Sequence, residues 1–264
     1  MTGEWKKTVL YSFVGGAEGA NPSAGVISDG AGNLYGTTAL GGLGRGTVFE
    51  LTPGQNDTWI EKVLYSFSGG ADGGSPSGGL VIDKAGNLYG TASGGGIGNC
   101  ESVPCGTIFE LSPGINNTWT FHLLYTFCSR VNCRDGGSPL GVTLDSHGNL
   151  YGTTQAGGVV PGWWQAAGCG TGYRLSPGKG GSWTFAVLHS FCPKSLCAGG
   201  AFPSSRLSFD SVGNLYGVTI VGGNANQGTA FKLSHVPGSL GLLVRCTPFA
   251  RLPDVPMDSV LGAT

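Results

Sequence analysis

The 264-residue chain is predicted to be all-β: a four-bladed β-propeller built from four repeats of about sixty residues, each of four antiparallel strands. Three observations carry that expectation. The 51 glycines and 14 prolines make up about a quarter of the residues, so no stretch of helical length is free of helix breakers. Apolar residues still reach 40% and aromatic residues 10%, which excludes a disordered chain, and glycine does not fall at every third position as collagen needs. Finally, one phrase recurs four times, as DGAGNLYG (29–36), DKAGNLYG (83–90), DSHGNLYG (145–152) and DSVGNLYG (210–217).

Each copy opens on a tryptophan, Trp5, Trp59, Trp119 or Trp183, which runs into VLYSF, VLYSF, LLYTF or VLHSF. These segments read as the first strand of each repeat. A proline follows, at Pro22, Pro76, Pro139 or Pro203, and then a short second strand. The shared phrase supplies a hairpin turn and the third strand. In it Asp29, Asp83, Asp145 and Asp210 accept backbone N–H groups, while Gly32, Gly86, Gly148 and Gly213 provide the positive φ of a type I turn with a G1 bulge. A calcium role for these aspartates is disfavoured, because each turn offers one carboxylate and the ion wants six or more oxygens. The fourth strand is GTVFELTPG, GTIFELSPG, GTGYRLSPG or GTAFKLSHVPG. Its charged position is Glu50, Glu110, Arg174 and Lys232 in turn, and the change of sign reads as a solvated face.

Repeats are thus expected at about 5–58, 59–118, 119–182 and 183–236, forming one domain over 1–236. An irregular, proline-containing tail follows at 237–264. The frame W…VLYSF…P…D-x-x-GNLYGTT…GTVFELTPG resembles the GloVer-type tandem repeat, and the resemblance runs from Trp5 to Pro237. It implies a bacterial secreted or surface-anchored propeller and brings no established activity, catalytic residue or cofactor. The Asp-x-x-Gly-Asn-Leu-Tyr hairpin is also similar to those of NHL-type propellers. Departures are Gly172 and Tyr173 for Val and Phe in copy three, and His189 for Tyr in copy four.

Formal charge is −1, with no basic run to follow a phosphate backbone, so nucleic acid is not an expected partner. No apolar stretch is long enough to span a bilayer. Six cysteines form three pairs with equal spacing, Cys100 with Cys105, Cys128 with Cys133, and Cys192 with Cys197. Local disulfides fit better than zinc half-sites, because the four histidines are scattered; no metal is expected. Disulfides place the protein outside the cell, in the periplasm or on the cell surface, although Met1 to Val9 lacks the apolar run of a secretory signal. Cys169 and Cys246 are left over.

Connection lengths single out one face. From the Pro to the Leu of the turn phrase the four copies span 12, 12, 11 and 12 residues, and from the GT-F glycine to the next Trp always 13. From the YSF Phe to the Pro they span 9, 9, 12 and 12, and between the two conserved glycines 10, 16, 18 and 11. Alternate loops of a meander share an end, so the variable loops and all three cysteine pairs are expected on one face. There Trp163 and Trp164, in the longest insertion, can stack on sugar rings or anchor a protein, or can pack the insertion's own core. Arg134 and Glu101 are the singular charges on that face. The expected role is an extracellular binding or structural module, monomeric, with carbohydrate or a surface protein as partner. The alternative is a polysaccharide hydrolase or lyase assembled from His122, His189, Arg134 and Glu101, although no carboxylate pair or nucleophile motif supports it. Asp72 and Asp135 occupy matching loop positions and read as structural, with copy one shifted to Glu18.

Overall fold

The computed structural model describes residues 3–98, 104–159, 168–192 and 198–234. Within them the only helical segments are single turns of 3-10 helix, and the rest is strand and loop. Four antiparallel sheets follow one another along the chain. Sheet one holds Ala20–Pro22 (β1), Ile27–Ser28 (β2), Leu34–Leu40 (β3), Thr47–Pro53 (β4) and Trp59–Ser66 (β5). Sheet two holds Val81–Ile82 (β6), Leu88–Ala92 (β7), Thr107–Pro113 (β8) and Trp119–Thr126 (β9). Sheet three holds Gly137–Leu144 (β10), Leu150–Ala156 (β11), Thr171–Pro177 (β12) and Trp183–Ser190 (β13). Sheet four holds Ala201–Pro203 (β14), Ser208–Phe209 (β15), Leu215–Val221 (β16) and Thr229–Leu233 (β17). β1 and β2 pair with the same neighbour, β3, as two halves of one broken inner strand, and β14 and β15 do the same on β16.

Strand pairing shifts the phase of the repeat. The Trp-headed segment is the outer strand of the preceding sheet, not the first strand of its own copy: β5 lies on β4 from Thr47↔Ser66 to Pro53↔Trp59, with β9 on β8 and β13 on β12 in the same register. The physical reason is the short loop between them. Gly54 donates its N–H to the Thr58 carbonyl at 2.8 Å, as Gly114 does to Thr118 and Gly178 to Ser182 at 2.7 Å, so the two segments close as a local hairpin. At the tip, Asn56, Asn116 and Gly180 take positive φ, which Asn and Gly tolerate best. Asn56 and Asn116, the two Asn-x-Thr positions, are thereby explained as turn residues.

The far end of each outer strand reaches into the next blade. Phe67 packs edge-on against Phe109 at 5.2 Å, Phe127 against Tyr173 at 5.1 Å and Phe191 against Phe231 at 5.0 Å. Phe67, Phe127 and Phe191 are fully buried, and each such burial contributes about 2–3 kcal/mol. Under them the glycine of the GNLYG phrase leaves room: a Cβ on Gly36, Gly90 or Gly217 would lie 2.5 to 2.6 Å from the Cζ of Phe49, Phe109 or Phe231. In copy three the Tyr173 hydroxyl occupies that space and donates to the Gly141 carbonyl at 3.4 Å. Gly172, the other departure of that copy, lies against Leu233 of the next sheet, whose Cδ1 would be 3.0 Å from an added Cβ.

Further contacts join neighbouring blades. Tyr65 stacks on Phe121 at 4.2 Å and Tyr125 on Phe185 at 4.0 Å. The N–H of Ser75 bonds the Arg45 carbonyl, Ser138 that of Cys105 and Phe202 that of Cys169, at 2.7 to 3.1 Å. The result is a four-bladed, propeller-like array; among the described residues no strand pairing joins its first and last sheets.

Candidate functional site

The four turn aspartates are built into the scaffold. Asp83 Oδ1 accepts the N–H of Ala85 and Asn87, and Oδ2 accepts the Asn87 amide and the Tyr89 hydroxyl, at 2.8 to 3.1 Å. Asp29, Asp145 and Asp210 repeat the pattern. Four bonds use the acceptor capacity of one carboxylate. In Asp145, burial raises the pKa, but bonds from the Asn149 side chain, backbone N–H groups and Tyr151 outweigh it and hold the group below the usual range.

The charged position of the fourth repeat segment is not a solvated face. Glu50 is buried and accepts the Tyr35 hydroxyl at 3.0 Å, and Lys232 lies 5.8 Å from the Tyr216 ring. In each sheet this residue sits directly across from the tyrosine of the GNLYG phrase. The Tyr35 hydroxyl shares its single proton between Asp29 and Glu50, while the Tyr216 ring faces the Lys232 ammonium, so either sign finds a contact there.

The loop acids are structural in the same way. Asp72 accepts from Tyr65 at 3.0 Å and the Ser68 N–H at 2.8 Å, and Asp135 accepts from Tyr125, the Ser129 N–H and the Ser129 hydroxyl at 2.8 to 2.9 Å. Glu18 is the true equivalent in copy one, not a shifted residue. It precedes a positive-φ glycine, Gly19, just as Asp72 and Asp135 precede Gly73 and Gly136, and it accepts the Tyr11 hydroxyl at 2.6 Å. Copy four has Gly199 at this place and His189 for the tyrosine, so both partners of the bond are replaced together.

The variable connections leave and re-enter the strands at one end, between Leu40 and Thr47, Ala92 and Thr107, Ala156 and Thr171, and Val221 and Thr229, with the turn aspartates at the other. The phase shift leaves this division intact. Arg134 is exposed beside Asp135 at that variable end. Cys128 and Cys133 form a disulfide across the loop that carries it, and Cys105 and Cys192 are also disulfide-bonded. Cys169 is a free, buried thiol whose pKa burial pushes up. Glu101, Trp163, Trp164, Cys100, Cys197 and Cys246 lie outside the described residues.

One concavity was not legible in the sequence. A cavity of about 950 Å³ at the turn end is bordered by residues on or beside the inner strands of all four sheets: Val26 and Ile27, Leu80 to Ile82, Thr143 and Leu144, and Arg206. Arg206 Nε donates to Thr143 Oγ1 at 3.3 Å and Nη1 to the Leu80 carbonyl at 3.4 Å, so one side chain of sheet four touches sheets three and two. Burial lowers its pKa. Asp83 and Asp145 stand at the rim, but their oxygens are occupied by their own turns. The arrangement offers apolar walls and a guanidinium, suited to holding a small amphipathic group, and no carboxylate placed for proton transfer. Among the described residues no cluster of three or more metal-ligating side chains occurs.

Four antiparallel sheets of one repeating pattern, with inner strands facing a common axis and loops of unequal length at one end, define a tandem-repeat protein of propeller-like construction. The sequence matches the family described as the Gloeobacter/Verrucomicrobia repeat over residues 1–133 and again over 105–250, and the chain belongs to that family. No curated protein matches it.

Proposed function

We propose that the protein is an extracellular repeat module whose variable face binds a carbohydrate or a surface protein. The observation that carries this reading is the segregation of the molecule's variation. The turn end repeats one saturated hydrogen-bond network four times, whereas length changes and the Cys128–Cys133 staple fall at the opposite end. A rigid scaffold holding unequal, locally stapled loops is a common basis for recognition. Disulfides favour an oxidising compartment, and the implied surface setting of the repeat agrees. Trp163 and Trp164 belong to the longest of these loops and are the proposed aromatic anchors, with Arg134 and Glu101 as polar neighbours. Pull-down with glycan or cell-surface extract tests it: Trp163→Ala plus Trp164→Ala should reduce retention severalfold without changing the melting temperature. Equal retention by the double variant would remove the aromatic anchor from the reading.

A further inference from the structure

The three internal joints between blades share four features that are missing between sheets four and one. At each internal joint a proline of one blade covers the GT-F glycine of the blade before: a Cβ on Gly46 would meet Pro76 Cδ at 2.7 Å, on Gly106 Pro139 at 2.3 Å, on Gly170 Pro203 at 2.7 Å. For Gly228 the nearest atoms are instead the Thr219 and Ile220 carbonyls of its own sheet, and Pro22 is the one left over. The cross-joint N–H bond of Ser75, Ser138 and Phe202 has no counterpart at Asn21, which has the same positive φ. On the leading side, Leu80, Val142 and Leu207 are at most 2% exposed, while the equivalent Val26 is 49% exposed. On the trailing side, Thr37, Thr91 and Thr153 are at most 2% exposed, while the equivalent Val218 is 44% exposed.

The fourth feature is a strand. β4, β8 and β12 each carry a Trp-headed outer strand, but β17 has none among the described residues. The first copy of that phrase, Trp5 to Ser12, forms no strand, and Trp5, Val9 and Leu10 are exposed. Its downstream end already occupies the place an outer strand's end takes elsewhere. Phe13 packs on Phe49 at 4.9 Å, as Phe67 does on Phe109, and Tyr11 donates to Glu18, as Tyr65 does to Asp72. Curvature permits the docking. The Arg206 bond to Leu80 spans from blade four to blade two, and blades facing each other directly across the axis are those of a four-membered ring.

We propose that Trp5–Ser12 pairs antiparallel with the free edge of β17 and seats blade one on blade four, closing the ring. The register follows from Glu50↔Lys62, which places Thr8 opposite Lys232, and the Asn21 N–H then meets the Gln227 carbonyl. Closure buries Val26 and Val218 and covers the open edge of β17, which otherwise invites association.

Amide hydrogen exchange on the unmodified chain tests this directly. The N–H groups of Thr8 to Ser12 should exchange at rates similar to those of Lys62 to Ser66, about a hundredfold or more below an unpaired segment. In a Thr8→Cys plus Lys232→Cys variant, mild oxidation should then yield an intramolecular bridge in the monomer, located by peptide mass. Unprotected amides at 8–12 would overturn the proposal, as would protection in their place of Leu242 to Arg245, a short apolar run later in the sequence. A Thr8–Lys232 bridge found only in covalent dimers would also overturn it, assigning the edge to a second copy. If the double variant does not fold, the exchange rates decide.

Discussion

Asp145 and its three counterparts show how little free chemistry a conspicuous carboxylate can retain. Replacing Asp145 with Ala leaves several turn donors unpaired, and urea melts should show a loss of about 1–3 kcal/mol. The pH dependence follows from the lowered pKa of Asp29 and Asp145. Their contribution is complete above the unfolded value of 3.8 and disappears as pH falls through the lower folded value, so stability should decline below about pH 4. Glu61 behaves oppositely. It stands where sheets two and three place Phe121 and Phe185, its Oε1 is buried without a partner, and burial, with Glu18 nearby, pushes its pKa up to about 7. Ionising it costs more in the folded than in the unfolded state. Stability should therefore fall as pH rises from about 4.5 to about 7, and Glu61→Phe should abolish that slope in melts taken across the range. The aspartate turns were legible from local spacing because all their partners lie within six residues. Glu50 was not, since its partner Tyr35 meets it across strands and a change of sign looks like solvent exposure.

At the level of strands and hairpins, the period of the repeat was readable but its phase was not. Self-comparison reports which segments recur and is silent on which neighbour each one pairs with. The constant interval of 13 residues from the GT-F glycine to the next Trp was the available sign that both segments form one hairpin. Packing at the strand crossings makes sharp expectations. Gly90→Ala forces a Cβ to within 2.6 Å of Phe109 and should cost about 1–3 kcal/mol in denaturant melts. Tyr173→Phe should change stability by less than about 1 kcal/mol, because the long bond to the Gly141 carbonyl is all the hydroxyl is seen to make. A double-mutant cycle on Tyr125 and Phe185 should give a coupling of about 0.5–1.5 kcal/mol across the blade two–blade three joint.

For the whole molecule, the sequence specified the number of blades and which end varies, and the axial cavity emerged only once inner strands from distant copies converged. Arg206 could not be matched with Leu80, 126 residues away, by any local pattern. The Cys128–Cys133 bridge closes a short loop, so replacing both cysteines with Ser should lower stability by at most about 2 kcal/mol in thermal melts. The phenylalanines that cross from one blade into the next have a wider effect. A cut at the sequence repeat strips a blade of its outer strand, and a cut at the sheet boundary strips it of the ring that completes its core. The stretch of chain that copying would multiply and the body that can stand by itself are therefore different lengths of polypeptide, overlapping like roof tiles. Such a body is expected to melt as one rather than blade by blade.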